Sequence, residues 1–181
     1  MWRKQLEFDV DKERVINDVE KARERTMNRA VKLLAAKPRS IGELRTRLLE
    51  KIWTNEEIVD RVIEKLKEYN YLDDGQFARS LALSKLRQKP QGKRRLQQAL
   101  SQKQLSKEIV DEAIVSAFEK MPEAELIDIA IEKRLRIKGK PETREDTKKF
   151  YDHLLRQGFG FDLIRDKMRE IGKVKIEDDA V

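Results

Sequence analysis

Asp73 and Asp74 stand side by side in "YNYLDDGQFA", Tyr69 to Ala78, and His153 is the single histidine. Adjacent carboxylates can hold a cation or share a proton, and a histidine can serve as a general base. A reaction would have to be built on these three groups. Their surroundings argue against one. Cysteine is absent, which removes thiol nucleophiles, disulfides and thiolate-bound zinc. There is no Walker-type phosphate loop and no dinucleotide fingerprint. His153 sits inside "FYDHLLRQ" without the serine, cysteine or carboxylate constellation that catalysis needs. No cofactor is expected.

Phosphate recognition is the other chemistry within reach. The chain carries 41 Lys and Arg against 34 Asp and Glu, a net charge of +7. From Gly75 through Lys107 there is no acidic residue, while Arg79, Lys85, Arg87, Lys89, Lys93, Arg94, Arg95, Lys103 and Lys107 are all cationic. The following stretch, Glu108 to Asp128, is acidic. A polarised chain of this kind meets a charged macromolecule. Lys133, Arg134, Arg136, Lys138 and Lys140 form a second cluster, and Arg39, Arg45 and Arg47 a third. Lys93, Arg94 and Arg95 open a helix, where the dipole disfavours cations, so contact with an anionic partner is the better account of them.

Helices must position these groups. Charged residues make up 41% of the chain, with only 7 Gly and 4 Pro, which indicates an all-α protein. Leu44, Leu48, Leu49 and Ile52, then Ile58, Val59, Val62, Ile63 and Leu66, trace two amphipathic helices. Between them Thr54 and Glu57 read as a capping box. The pattern returns 52 residues later at Leu96 and Leu100, then Ile109, Val110, Ala113 and Ile114. A third copy runs through Phe150, Leu154 and Leu155 to Leu163, Ile164 and Met168. Trp53, Leu105 and Phe159 hold the equivalent place between helices and are read as core. A leading helix precedes each pair, and Pro38, Pro90 and Pro141 mark its end. The alternation of Ile127, Ile129 and Ile131 hints at a strand, but its charged flanks favour helix.

The expected architecture is three tandem three-helix modules, at 29–72, 73–121 and 122–172, stacked into an elongated, curved array. Residues 1–28 form an extension in which Asp11 to Asn28 is a charged helix and Leu6, Phe8 and Val10 dock as an extended segment. Trp2 has no assigned role. The tail 173–181 is expected to fray. No secretory leader or membrane span is expected, and a cytoplasmic location is the expectation.

Within this frame the aspartates are punctuation. Asn70 ends one helix in the left-handed conformation, and Asp73 caps the next with Gln76 three residues on. Asp74 opposes the helix dipole, and Leu72 and Phe77 pack across the start.

The same junction, "YLDD..FA", resembles the RecX family. So do "RS..EL...L..K" from Arg39 to Lys51, "G..RL...L..K" from Gly92 to Lys103, and "F...LLRQGF" from Phe150 to Phe159. The likeness covers residues 26 to 172. Two departures stand out: Asn70 replaces a glycine before the junction tyrosine, and Ile52 and Gln104 replace the glycine that the third copy keeps as Gly158. The resemblance implies a cytoplasmic regulator that binds RecA recombinase filaments and DNA and suppresses strand exchange and ATP turnover.

Three functions are therefore weighed. The leading one is a monomeric, non-enzymatic regulator lying along the RecA filament, in contact with single- and double-stranded DNA and capping or destabilising the filament. The alternative is a stand-alone DNA-binding protein with helix-turn-helix-like modules. The weakest is an enzyme using Asp73, Asp74 and His153.

Overall fold

A computed structural model describes residues 16–178, with 172–178 described as backbone alone. Expectations for Trp2, Leu6, Phe8, Val10 and Asp11 to Val15, and for 179–181, lie outside the described residues. Nine helices and no strand occur among the described residues. None is long and apolar enough to cross a membrane. The chain divides into two compact units, with the division between Asp73 and Asp74.

The first unit holds α1 (Val19–Ala36), α2 (Ile41–Leu49) and α3 (Glu56–Glu68). Helix α1 runs unbroken across the expected boundary at residue 28, capped by Asp18, whose carboxylate accepts from Lys21 N–H at 3.0 Å. Ser40 caps α2 in the same way through Glu43 N–H. The predicted cap of α3 is corrected by one residue. Asn55 accepts from Ile58 N–H at 3.0 Å, while Thr54 turns inward. Its hydroxyl, fully buried, meets that of Thr26 on α1 at 3.0 Å. A buried hydroxyl needs a partner, and the tertiary pairing wins over the local cap. The core is Ala30, Leu44, Leu48, Val59, Val62, Ile63, Leu66 and Leu72. Each fully buried leucine contributes about 1.5–3 kcal/mol relative to an exposed one.

Helix α3 closes as expected at Asn70, with φ of 59°. Asn70 N–H donates to Lys67 O, and Tyr71 N–H to Leu66 O, both at 2.9 Å, which is the Schellman pattern. Asp73 immediately precedes α4, and Asp74 lies in its first turn.

The second unit holds α4 (Asp74–Gln88), α5 (Lys93–Ser101), α6 (Lys107–Lys120), α7 (Glu123–Lys138), α8 (Arg144–Arg156) and α9 (Phe161–Asp178). Helix α5 repeats α2 at the 52-residue offset, Ile41 to Lys93 and Leu49 to Ser101. Leu96, Leu100 and Leu154 are buried as Leu44 and Leu48 are. Helices α1, α4 and α7 each end shortly before Pro38, Pro90 and Pro141. The strand hinted at by Ile127 to Ile131 is helix, with Ile127 and Ile131 buried on one face and Ile129 exposed. Helix α9 continues to Asp178, past the point at which the tail was expected to begin.

The segments 73–121 and 122–172 share one core in which Leu86, Leu96, Ile114, Ile127, Phe150 and Phe159 all take part. The departures from the family glycines resolve differently. Gln104 keeps the left-handed turn, φ 53°, despite its side chain, and Gly158 has φ of 90°. Ile52 has no such conformation and leaves its side chain in solvent. Phe159 fills its slot completely, whereas Trp53, its counterpart, is only half-buried and stands outside the core of its unit.

Candidate nucleic-acid interface

Helix α4 ends in cations, with Lys85 and Arg87 in its last turn and Lys89 just beyond. Helix α7 has Glu123 and Glu125 in its first turn and Arg136 and Lys138 in its last. Both distributions suit the helix dipole, which places negative potential at the C-terminal end. The chain folds these two ends together against α8. Lys89, Lys133, Arg134 and Lys138 line one pocket of about 160 Å³ with His153 and Gln157. None of its lining residues is acidic.

Two of these side chains are set by their neighbours. The Arg134 guanidinium carbon lies 5.7 Å from the centroid of the buried Phe150 ring, and Arg134 Nε is buried with no acceptor. The Gln157 amide donates to His153 Nε2 at 2.6 Å. The imidazole titrates below its ordinary value, first because it is partly buried, then because Arg134, Arg156 and Lys89 repel a further proton. Cations from α7, from α8 and from just after α4 therefore act on one ring. Such a pocket offers many donors and positive potential, which suits an oxyanion.

Other predicted contacts lie elsewhere. Arg39 is half-buried ahead of α2, with its Nε lacking an acceptor. Arg45 grips Asp60 at 2.8 Å and Glu56 at 3.0 Å, and these hydrogen bonds, Asp60 first, hold its proton more firmly still. Arg47 pairs with Glu50 at 2.7 Å. Both arginines are thus engaged within the first unit. Arg79, Arg87, Lys133 and Arg136 are exposed, and Lys85 is half-buried.

Lys93, Arg94 and Arg95 have a second account that the helix dipole alone did not supply. Their helix N-terminus abuts the C-terminal turn of α8, so carbonyl oxygens face it. Gly92 N–H donates to Gln157 O at 2.9 Å and Arg94 N–H to Gly158 O at 3.2 Å. Lys93 N–H donates to the Glu123 carboxylate at 2.9 Å. The Arg95 guanidinium reaches Arg156 O at 3.4 Å, and Arg94 lies 5.3 Å from the centre of the Phe161 ring. Cations at this point complement α8 while they oppose α5.

Sequence reasoning separated Lys89 from the Lys133 cluster and missed Gln157. The available signal was the i, i+4 spacing of His153 and Gln157, which brings the residue that closes α8 onto the face of His153.

Family models for the first and second three-helix domains of RecX match residues 27–66 and 73–114. The Regulatory protein RecX of Prosthecochloris aestuarii is 33% identical over 81% of this chain and 93% of its own length. The chain belongs to the RecX family. The Clostridium botulinum Regulatory protein RecX (strain Eklund 17B) is 36% identical over 64% of this chain, which spans about half, 54%, of that relative. The crystal structure of RecX from Lactobacillus salivarius superposes with a TM-score of 0.75 at 21% identity, over 84% of this chain and 98% of that one. That last likeness concerns the fold. These relatives are named as regulatory proteins, and the family shares tandem three-helix domains with this chain at residues 27–66 and 73–114.

Proposed function

We propose that this chain is a non-enzymatic regulator that binds RecA–DNA filaments and inhibits recombinase and ATPase activity by capping or destabilising the filament. Membership of the RecX family supports the partner. The convergence of Lys89, Lys133, Arg134 and Lys138 in a pocket with no acidic lining residue supports the DNA contact and is the observation that carries this reading. Phosphate oxygens are its natural ligands. Arg79, Lys85, Arg87, Lys93 and Arg136 are further contacts, and repeated modules allow several modest contacts to act together. Binding and inhibition of this kind require no catalytic group.

The second reading, a stand-alone DNA-binding protein, draws on the same pocket. The two part on partner and salt dependence. Cosedimentation with RecA on single-stranded DNA, set against DNA alone across a salt series, distinguishes them. Pure phosphate binding collapses as salt rises, whereas filament binding retains its protein contacts. Equal salt sensitivity with and without RecA would remove the filament from the proposal.

A further inference from the structure

Helix α1 presents Arg25, Asn28, Arg29 and Lys32 at the spacing that places side chains on one helical face. That face and Trp53 line an open pocket of about 340 Å³ in the first unit. Trp53 is not behaving as its counterpart Phe159 does. The Phe159 ring is wholly enclosed, while Trp53 is half-buried with cations at its face, Arg25 at 5.1 Å and Lys51 at 5.8 Å from the ring centroid. Trp53 Nε1 and Arg29 Nε are both buried without an acceptor. None of the lining residues is acidic, so nearly every polar group there is a donor.

A ligand for this pocket must bring acceptors for the donors and a flat surface for the indole. A carboxylate alone supplies the first and is repelled by the electron-rich ring face. A nucleotide supplies both, since its phosphate suits the guanidinium forks and its base can replace Arg25 against the ring. The volume falls in the range of small-ligand pockets. The geometry points to a nucleotide-binding site at Trp53, with the phosphate held by Arg25, Arg29 and Lys32. It is separate from the pocket of α4, α7 and α8 and does not depend on RecA being the partner. The nucleotide comes either from a single strand or from the free pool.

The test uses the intrinsic fluorescence of the full chain carrying Trp2→Phe, which leaves Trp53 as its only indole. Titrations employ a thymidine oligonucleotide, free thymidine monophosphate and ADP, and polyglutamate. Saturable quenching by the oligonucleotide alone assigns the source to a strand, and quenching by a free nucleotide at similar concentration assigns it to the pool. In either case Arg29→Gln weakens binding about tenfold, the equivalent of one charge-assisted hydrogen bond. Lys32→Gln, at an exposed position, does likewise and serves if Arg29→Gln fails to fold. Absence of any spectral change overturns the proposal, as do quenching by polyglutamate only and quenching that both variants leave intact.

Discussion

Gly92 and Gly158 meet backbone to backbone, so that a Cβ on Gly92 would overlap the Gly158 carbonyl and the Phe159 amide nitrogen. A Cβ on Gly158 would in turn strike Arg95, and Gly158 also needs a φ of 90°. Both glycines fall in the motifs by which the chain resembles the RecX family, and their close approach leaves no room for a side chain at either. Gly92→Ala should therefore destabilise by about 1–3 kcal/mol, the usual range for overpacking. Gly160→Ala, with open space around it, should cost less than Gly92→Ala. Urea unfolding of the two variants decides the matter, and indistinguishable midpoints would mean that the backbone there yields without strain.

Caps give a second comparison. Asn55→Ala should lower stability by about 0.5–2 kcal/mol through loss of the bond from Ile58 N–H. Asp73→Ala, ahead of α4, should fall in the same range and leave nucleic-acid binding unchanged. Loss of binding in an Asp73 variant that melts normally would return the paired aspartates to functional consideration.

Charge should separate structural arginines from binding ones. Replacing Lys89, Lys133 and Lys138 together by Gln should flatten the salt dependence of DNA binding, by about 0.7–0.9 in log–log slope for each phosphate no longer neutralised. Arg45→Gln should leave that slope alone, because Asp60 and Glu56 already occupy the guanidinium. Its effect should appear in stability instead, at roughly 0.2–1 kcal/mol for an exposed pair. A binding defect in Arg45→Gln matching that of the triple variant would contradict this division.

Acid should act through His153. Its folded-state value lies below the ordinary imidazole value of about 6.5. The unfolded chain therefore takes up more protons below that pH. The contribution of His153 to folding is present above about pH 6.5 and is lost as pH falls towards the folded value. Urea midpoints should fall as the pH drops below about 6.5 in the parent chain and fall less in His153→Gln. Identical pH profiles would exclude His153 as the source.

The helical repeat was legible because a buried stripe imposes its period on the chain. Leu44, Leu48, Leu96, Leu100 and Leu154 have to be apolar, and prolines have to stand where leading helices stop. Asn70 was legible for the same local reason, since few side chains tolerate a positive φ. Tertiary partnership was not. Thr54 reads as the cap of α3, and only the position of Thr26 on α1 shows why Asn55 takes that place instead. Likewise, a series of cations in sequence cannot show that Lys89 and Lys133 line one pocket while Arg45 is spent on Asp60. Periodicity shows which face of a helix is inward, and stays silent on which distant helix it faces.

Helix α5 has no side chain of its own to cap it. Its opening amides are satisfied by Gln157 and Gly158 after α8, and by Glu123 at the start of α7. The second copy of the repeat thus borrows its helix start from the third. Nearest-neighbour coupling of this sort makes adjoining repeats fray or hold as one foldon. Amide protons at the head of α5 and at the foot of α8 should then exchange with solvent together. A chain trimmed after Met121 would lose a cap it never encoded locally.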